Sequence, residues 1–216
     1  MSTVYSLMLF IAAAIFSFVL TPYFIDMFRR SGRLVKNYKG ELIPQGIGIM
    51  FPIYALLWHA LLKLFAGNSM ANAMWILFAI TTMCFIGFVD DMLGSRDVLG
   101  LKGHIKSLLN GRLTTGALKA IVGLLLAFVL SLSFTSSFVE VVVNTFIMAL
   151  FTNFFNLLDL RPGRAIKVYI MIFLVIIGIL NAAGKSELAI PFLPLFGTVI
   201  GYMPYDLKAH CMMGDA

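Results

Sequence analysis

The chain has 216 residues, 61% of them hydrophobic and 12% charged, with a mean hydropathy of +0.97. A water-soluble globule of this size could not hide that much apolar surface, so the composition excludes a soluble enzyme, a disordered chain and a nucleic-acid-binding domain, and requires a bilayer. Two cysteines, Cys84 and Cys211, exclude a disulfide scaffold, and the net charge of +6 speaks first to membrane orientation.

Crossing a hydrocarbon core of about 30 Å takes roughly 20 helical residues. Seven segments qualify in chain order: Val4–Met27, Gly46–Phe65, Met70–Phe88, Thr115–Ser133, Phe138–Leu158, Ala165–Ala183 and Leu188–Tyr205. The first has no Lys or Arg before Arg29 and too long an apolar run for a secretory signal, so it reads as a retained helix. The expected fold is all-α: one polytopic transmembrane domain over residues 1–216, with about seven helices around a cleft at the cytoplasmic face.

The basic residues set the topology. Arg29, Arg30, Arg33, Lys36 and Lys39 lie between the first two segments. Arg96, Lys102, Lys106, Arg112 and Lys119 follow the third or open the fourth. Arg161, Arg164 and Lys167 follow the fifth, and Lys208 the seventh. Only Lys63 and Lys185 fall on the other side, so the N-terminus is expected outside and the basic face in the cytoplasm. The outer connections, Ala66–Ser69, Phe134–Ser137 and Gly184–Glu187, are short and plain, which puts the chemistry on the inner face.

Eight of the ten carboxylates share that side. Acidic residues do little to orient a membrane protein, and an ionisable group at the hydrocarbon edge is a functional candidate by default. Asp90-Asp91 is expected to end the third helix, and a cation such as Mg²⁺ would relieve the mutual repulsion of the pair; solvated charges closing a helix are the alternative. Asn153, Asn156 and Asp159 recur every three residues and share one helical stripe, suited to a polar site or to hydrogen bonds between helices. The turn Arg161-Pro162-Gly163-Arg164 follows, whose guanidiniums could grip a phosphate or carboxylate, or simply mark the inside. Between the third and fourth segments, Leu99–Leu109 reads as a short amphipathic piece with Lys102 and Lys106 on one face, fit to lie along the interface against anionic lipid heads.

The order of the polar motifs is specific. Lys39-Gly40-Glu41-Leu42-Ile43-Pro44-Gln45-Gly46 opens the second segment, Gly87-Phe88-Val89-Asp90-Asp91 closes the third, and Asn156-Leu157-Leu158-Asp159 closes the fifth. Gly201-Tyr202-Met203-Pro204-Tyr205-Asp206 leads to Met213-Gly214-Asp215. This series resembles the polyprenyl-phosphate sugar-1-phosphate transferases of glycosyltransferase family 4, the superfamily of phospho-N-acetylmuramoyl-pentapeptide transferase and polyprenyl-phosphate N-acetylglucosamine-1-phosphate transferase. The resemblance implies transfer of a phospho-sugar from a UDP-sugar donor to a polyprenyl-phosphate acceptor, release of UMP and a need for Mg²⁺. It implies catalytic roles for Asp90, Asp91 and Asp159, and metal ligation by Asp215 with Asn156 and Asp91. Lys39, Asn156, Arg161, Arg164, Lys102 and Lys106 become candidates for binding the anionic substrates. The expected setting is the cell membrane of a bacterium, in cell-wall or surface-glycan precursor synthesis; homodimerisation stays open.

The chain also departs from that pattern. The family commonly reads Asn-Leu-x-Asp-Gly-x-Asp-Gly after the fifth helix; here Leu160 replaces the first Gly, Pro162 the second Asp, and Arg161 and Arg164 are added. Gln45 stands where Thr is frequent. The resemblance also implies further C-terminal helices beyond these 216 residues. A non-catalytic relative acting as a membrane scaffold is therefore one alternative. A secondary transporter is another, disfavoured because the carboxylates sit at inner helix ends and no repeat is visible.

Overall fold

In lipid the backbone of an apolar run satisfies its own polar groups by coiling into a helix. The computed structural model describes residues 3–66, 73–94, 98 and 100–215. Among them, seven helices are long and apolar enough to cross a membrane. They are α1 (Thr3–Arg30), α2 (Met50–Ala66), α3 (Ala73–Leu93), α5 (Thr115–Phe134), α6 (Phe138–Leu158), α7 (Arg164–Ala182) and α8 (Leu193–Leu207), the last prolonged at its N-terminal end by a 3₁₀ stretch, Ser186–Phe192. The short α4 (Gly100–Leu109) is the amphipathic piece. The connection expected outside, Ala66–Ser69, lies beyond the described residues apart from Ala66, as do Arg96, Asp97 and Leu99.

α1 and α8 pack most intimately, because α8 carries glycines where α1 approaches. A Cβ on Gly197 would stand 2.4 Å from the Phe10 carbonyl oxygen, and one on Gly201 would stand 2.2 Å from that of Ala14. Small residues let helix backbones meet in membranes, and Ala13 and Ser17 on α1 are fully buried opposite them. The Ser17 hydroxyl donates to the Thr198 carbonyl at 2.8 Å. α1 runs through Pro22, which cannot donate to the Phe18 carbonyl four residues back; the Tyr205 hydroxyl of α8 donates to that carbonyl instead, at 2.9 Å. Stacked rings of Phe173 and Phe196, 4.3 Å between centroids, tie α7 to α8. Tyr54, Met50, Ile47, Leu62 and Tyr202 fill the centre.

Two features at the end of the bundle that carries the basic connections differ from expectation. The segment between α1 and α2 forms a hairpin, β1 (Leu34–Lys36) antiparallel to β2 (Leu42–Pro44), with Val35 opposite Ile43. Its turn is closed by the Asn37 side chain, which accepts from the backbone N–H of Lys39 and of Glu41. The residues before Asp215 then pair beside Pro44–Gly48: Met212 N–H donates to the Pro44 carbonyl at 2.8 Å and Gly48 N–H to the Met213 carbonyl at 2.9 Å. Second, Asp90-Asp91 does not end α3, which continues to Leu93. The carboxylate of Asp91 has protein donors, described next, so solvation at a helix end is not required.

Candidate active site

Helix ends on one side of the bundle bring five separated stretches together. Asp91, near the end of α3, accepts two hydrogen bonds: Oδ1 from Gln45 Nε2 at 2.6 Å and Oδ2 from the backbone N–H of Asp215 at 2.8 Å. The strand-like pairing of Met212 beside β2 delivers that N–H. Gly214 turns the chain with φ +80, and a Cβ there would lie 2.2 Å from Asp91 Oδ2; the close approach requires glycine. From α5, Lys119 reaches in, its Nζ 2.9 Å from Asp215 Oδ2, with 16% of the lysine side chain and 30% of the aspartate side chain exposed. From the end of α6 come Asn156 and the half-buried Asp159.

The electrostatics are lopsided. Burial, then Asp206, Asp215 and Asp91, pushes the Asp159 carboxyl up to about 7. Asp215 is also raised, first by burial; Lys119 pulls it back down and Asp90 pushes it further up. Lys119 is the one cation in an ion pair with this group among the described residues. Sites with too many carboxylates for their cations are poised to take one more.

Two cavities meet at Asp215. One, about 270 Å³, has walls of Phe51, Pro52, Ile80, Met83 and Phe155, with Lys119, Asn156, Asp159 and Asp215 at its polar end. The other, about 740 Å³, is lined by Gln45, Asp90, Asp91, His104, Arg112 and Thr114 as well as Asp215. A narrower groove sets Asn37 and Tyr38 of the hairpin against Asp159, Leu160, Arg161 and Pro162.

The candidates from sequence therefore separate. Asp90, Asp91, Asn156, Asp159 and Asp215 line these spaces, and Arg161 borders the groove beside Asp159. Lys39 lies on the hairpin turn with its ammonium 5.5 Å from the Tyr38 ring centroid. Arg164, Lys102 and Lys106 are exposed and line neither cavity nor the groove.

Three residues with clear roles here were not singled out by sequence. Gln45 registered only as a departure from Thr, and Lys119 only as a topological cation. Asp206, 4% exposed, accepts from the Gly163 N–H at 2.6 Å and so fixes the basic turn where α7 begins. Its signal was a carboxylate inside an apolar helix.

Among the described residues no group of three or more His, Cys, Asp or Glu is placed to hold a metal ion. Mg²⁺ does not need such a cage: it commonly takes one or two carboxylates, keeps several waters and borrows oxygens from substrate phosphates. Asp91 and Asp215, adjacent hard-oxygen donors in a carboxylate-rich cleft, fit that partial shell.

A model of glycosyl transferase family 4 matches residues 73–216. That stretch is two thirds of the chain and holds Asp90, Asp91, Lys119, Asn156, Asp159 and Asp215, while Lys39 and Gln45 precede it. No curated protein matches the chain. On that family match, and with its matched carboxylates gathered at one end of a membrane-spanning bundle, the chain belongs to glycosyl transferase family 4, a family of membrane phosphoglycosyltransferases acting on polyprenyl phosphates.

Proposed function

We propose that the protein transfers a sugar-1-phosphate, most simply that of an N-acetylaminosugar, from a UDP-sugar to a polyprenyl phosphate and releases UMP. The observation that carries this reading is the meeting of an apolar cavity and a polar one at Asp215. The apolar walls suit the prenyl end of the acceptor, while the larger polar space and the groove bordered by Arg161 suit the charged parts of a nucleotide donor. A phosphate oxygen of the acceptor then attacks the donor's β-phosphorus, and the bond to the UMP oxygen breaks.

Exchange between two anions needs charge neutralisation and alignment more than covalent help. Lys119 faces the junction and would draw a phosphate to it. Asp90 and Asp159 would position the acceptor and hold its proton. Asp91 and Asp215, with Asn156 nearby, would hold Mg²⁺, which when bound supplies positive charge for phosphate oxygens. Gln45 and Gly214 keep Asp91 and Asp215 in register. The basic-residue distribution supports an outside N-terminus and a cytoplasmic cleft in a bacterial cell membrane. Labelling of a Ser107→Cys variant by an impermeant thiol reagent in intact cells would overturn that orientation.

The test uses the purified chain in nanodiscs with a UDP-N-acetylaminosugar and a polyprenyl phosphate. Expected are UMP release that depends on Mg²⁺, its loss on chelation, and its loss in Asp215→Asn and Asp91→Asn. A folded protein that binds both substrates and releases no UMP refutes the transferase reading in favour of a scaffold.

A further inference from the structure

We propose that α4 is a docking surface for the anionic lipid headgroups of the bilayer, a binding function separate from the transfer reaction and independent of it. α4 is a ten-residue helix between two spans, too short to cross the membrane. At about 100° per residue, Ile105, Leu108 and Leu109 share roughly one third of its circumference. They are exposed by 49%, 43% and 82%. Lys102 and Lys106 follow at the rim of that apolar face, both exposed and in no ion pair among the described residues. The flank away from the lysines is committed to the protein. His104 Nδ1 lies 2.8 Å from the Thr114 hydroxyl, and Thr114 caps α5 by accepting from the Ala117 N–H at 3.1 Å. Gly116 lies directly beneath: a Cβ there would stand 2.6 Å from the His104 ring.

The helix is thus held by one side, with an apolar face and a basic edge left outward. An apolar stripe rimmed by lysines matches an interface where acyl chains meet negative headgroups. The charge argues against the alternatives: an apolar partner helix would leave the lysines unpaired in lipid, and a zwitterionic surface would leave them without a counter-charge. α4 also borders the larger cavity, which His104 and Ser107 line.

The experiment measures hydrogen exchange of the α4 amides in the full chain, in nanodiscs of phosphatidylcholine alone and with phosphatidylglycerol added. Each lysine near an anionic surface favours attachment by a factor of about five. Slower exchange is expected with phosphatidylglycerol, with the difference shrinking at high salt. It should vanish in Lys102→Glu/Lys106→Glu and persist in Lys102→Arg/Lys106→Arg. Both pairs are exposed, so α5 and α6 amides should be unchanged and report a native fold. Equal α4 exchange in the two lipids, or a phosphatidylglycerol effect that survives the charge reversal, overturns the proposal. So does equal protection by soluble inorganic phosphate in phosphatidylcholine discs, which would mark an anion site instead of a lipid surface.

Discussion

The Lys119 ammonium lies 2.9 Å from Asp215, at the point where the apolar and polar cavities join. Removing one partner from a partly buried pair leaves the other charge uncompensated. Lys119→Met is therefore expected to destabilise the metal-free protein by about 1–3 kcal/mol near pH 8. The loss should be smaller near pH 4, where more of the carboxylates are protonated. Thermal unfolding in detergent at the two pH values measures it, and an equal loss at both would show that the ion pair is not the cause.

Gly214 tests the delivery of the Asp215 N–H to Asp91. Alanine there is strained twice, by φ +80 and by a Cβ 2.2 Å from Asp91 Oδ2. Both effects act locally, at the turn that precedes Asp215. Gly214→Ala should cost at least about tenfold in kcat, in line with the sensitivity of catalysis to displacements of about 1 Å. The midpoint of unfolding should move little. Steady-state rates alongside a melting curve separate the two; unchanged kcat would show that Asp91 and Asp215 act independently.

The seven spans were legible because composition dictates them: each apolar run has one structure available in lipid. Asp90, Asp91 and Asp159 stood out because carboxylates at the membrane edge are conspicuous, and Asp215 only through the order of motifs that carries the family resemblance. Gln45 and Lys119 were not, since each matters through a residue far away in sequence, and local patterns cannot reveal that Met212 pairs beside Pro44. The hairpin was missed for a related reason: its strands are three residues long and show no useful alternation. The glycines Gly197 and Gly201 were plain in sequence, but their partner helix was not.

Asp206 predicts a mechanical effect. Its carboxylate accepts the Gly163 N–H at 2.6 Å across 43 residues, and Leu207 Cδ2 would stand 2.3 Å from a Cβ on Gly163. Asp206→Ala should leave that N–H without its partner and cost about 1–3 kcal/mol. The basic turn should loosen, and trypsin should cut after Arg164 faster than in the parent protein. Asp206→Asn, which keeps an acceptor, should lie between. Identical cleavage in all three would show that the turn does not depend on this bond.

The pH dependence of stability follows from Asp159 and Asp215. Both carboxyls are raised in the folded protein, Asp159 to about 7, chiefly by burial. Between the ordinary carboxylate value and about 7 the folded state holds more protons than the unfolded one, so stability falls as pH rises through that window. Metal-free protein should thus melt at a higher temperature near pH 4.5 than near pH 7.5. Asp159→Asn should flatten the slope, and Mg²⁺ should raise the melting point mainly at the higher pH. A melting point that climbs across this range in the metal-free protein would contradict the assignment.

Arg161 and Arg164 were equivalent in sequence and are not in space. Arg161 borders the groove that Asp159 shares with Tyr38 and Asn37, whereas Arg164 opens α7 and lines neither that groove nor the cavities. A guanidinium at the groove can hold an anionic part of the donor through paired hydrogen bonds. One on the outer side can only anchor the helix near lipid heads, as exposed Lys167 would. Arg161→Ala should accordingly raise the donor KM by about tenfold or more, the loss of one charge-assisted contact. Arg164→Ala should resemble Lys167→Ala and leave KM within about twofold of the parent. Arg161→Lys should recover part of the affinity, since charge returns without the planar fork. If Arg164→Ala raises the donor KM as much as Arg161→Ala, the groove is not where the donor's charge is read. If all three alanine variants match the parent, the basic turn serves orientation alone.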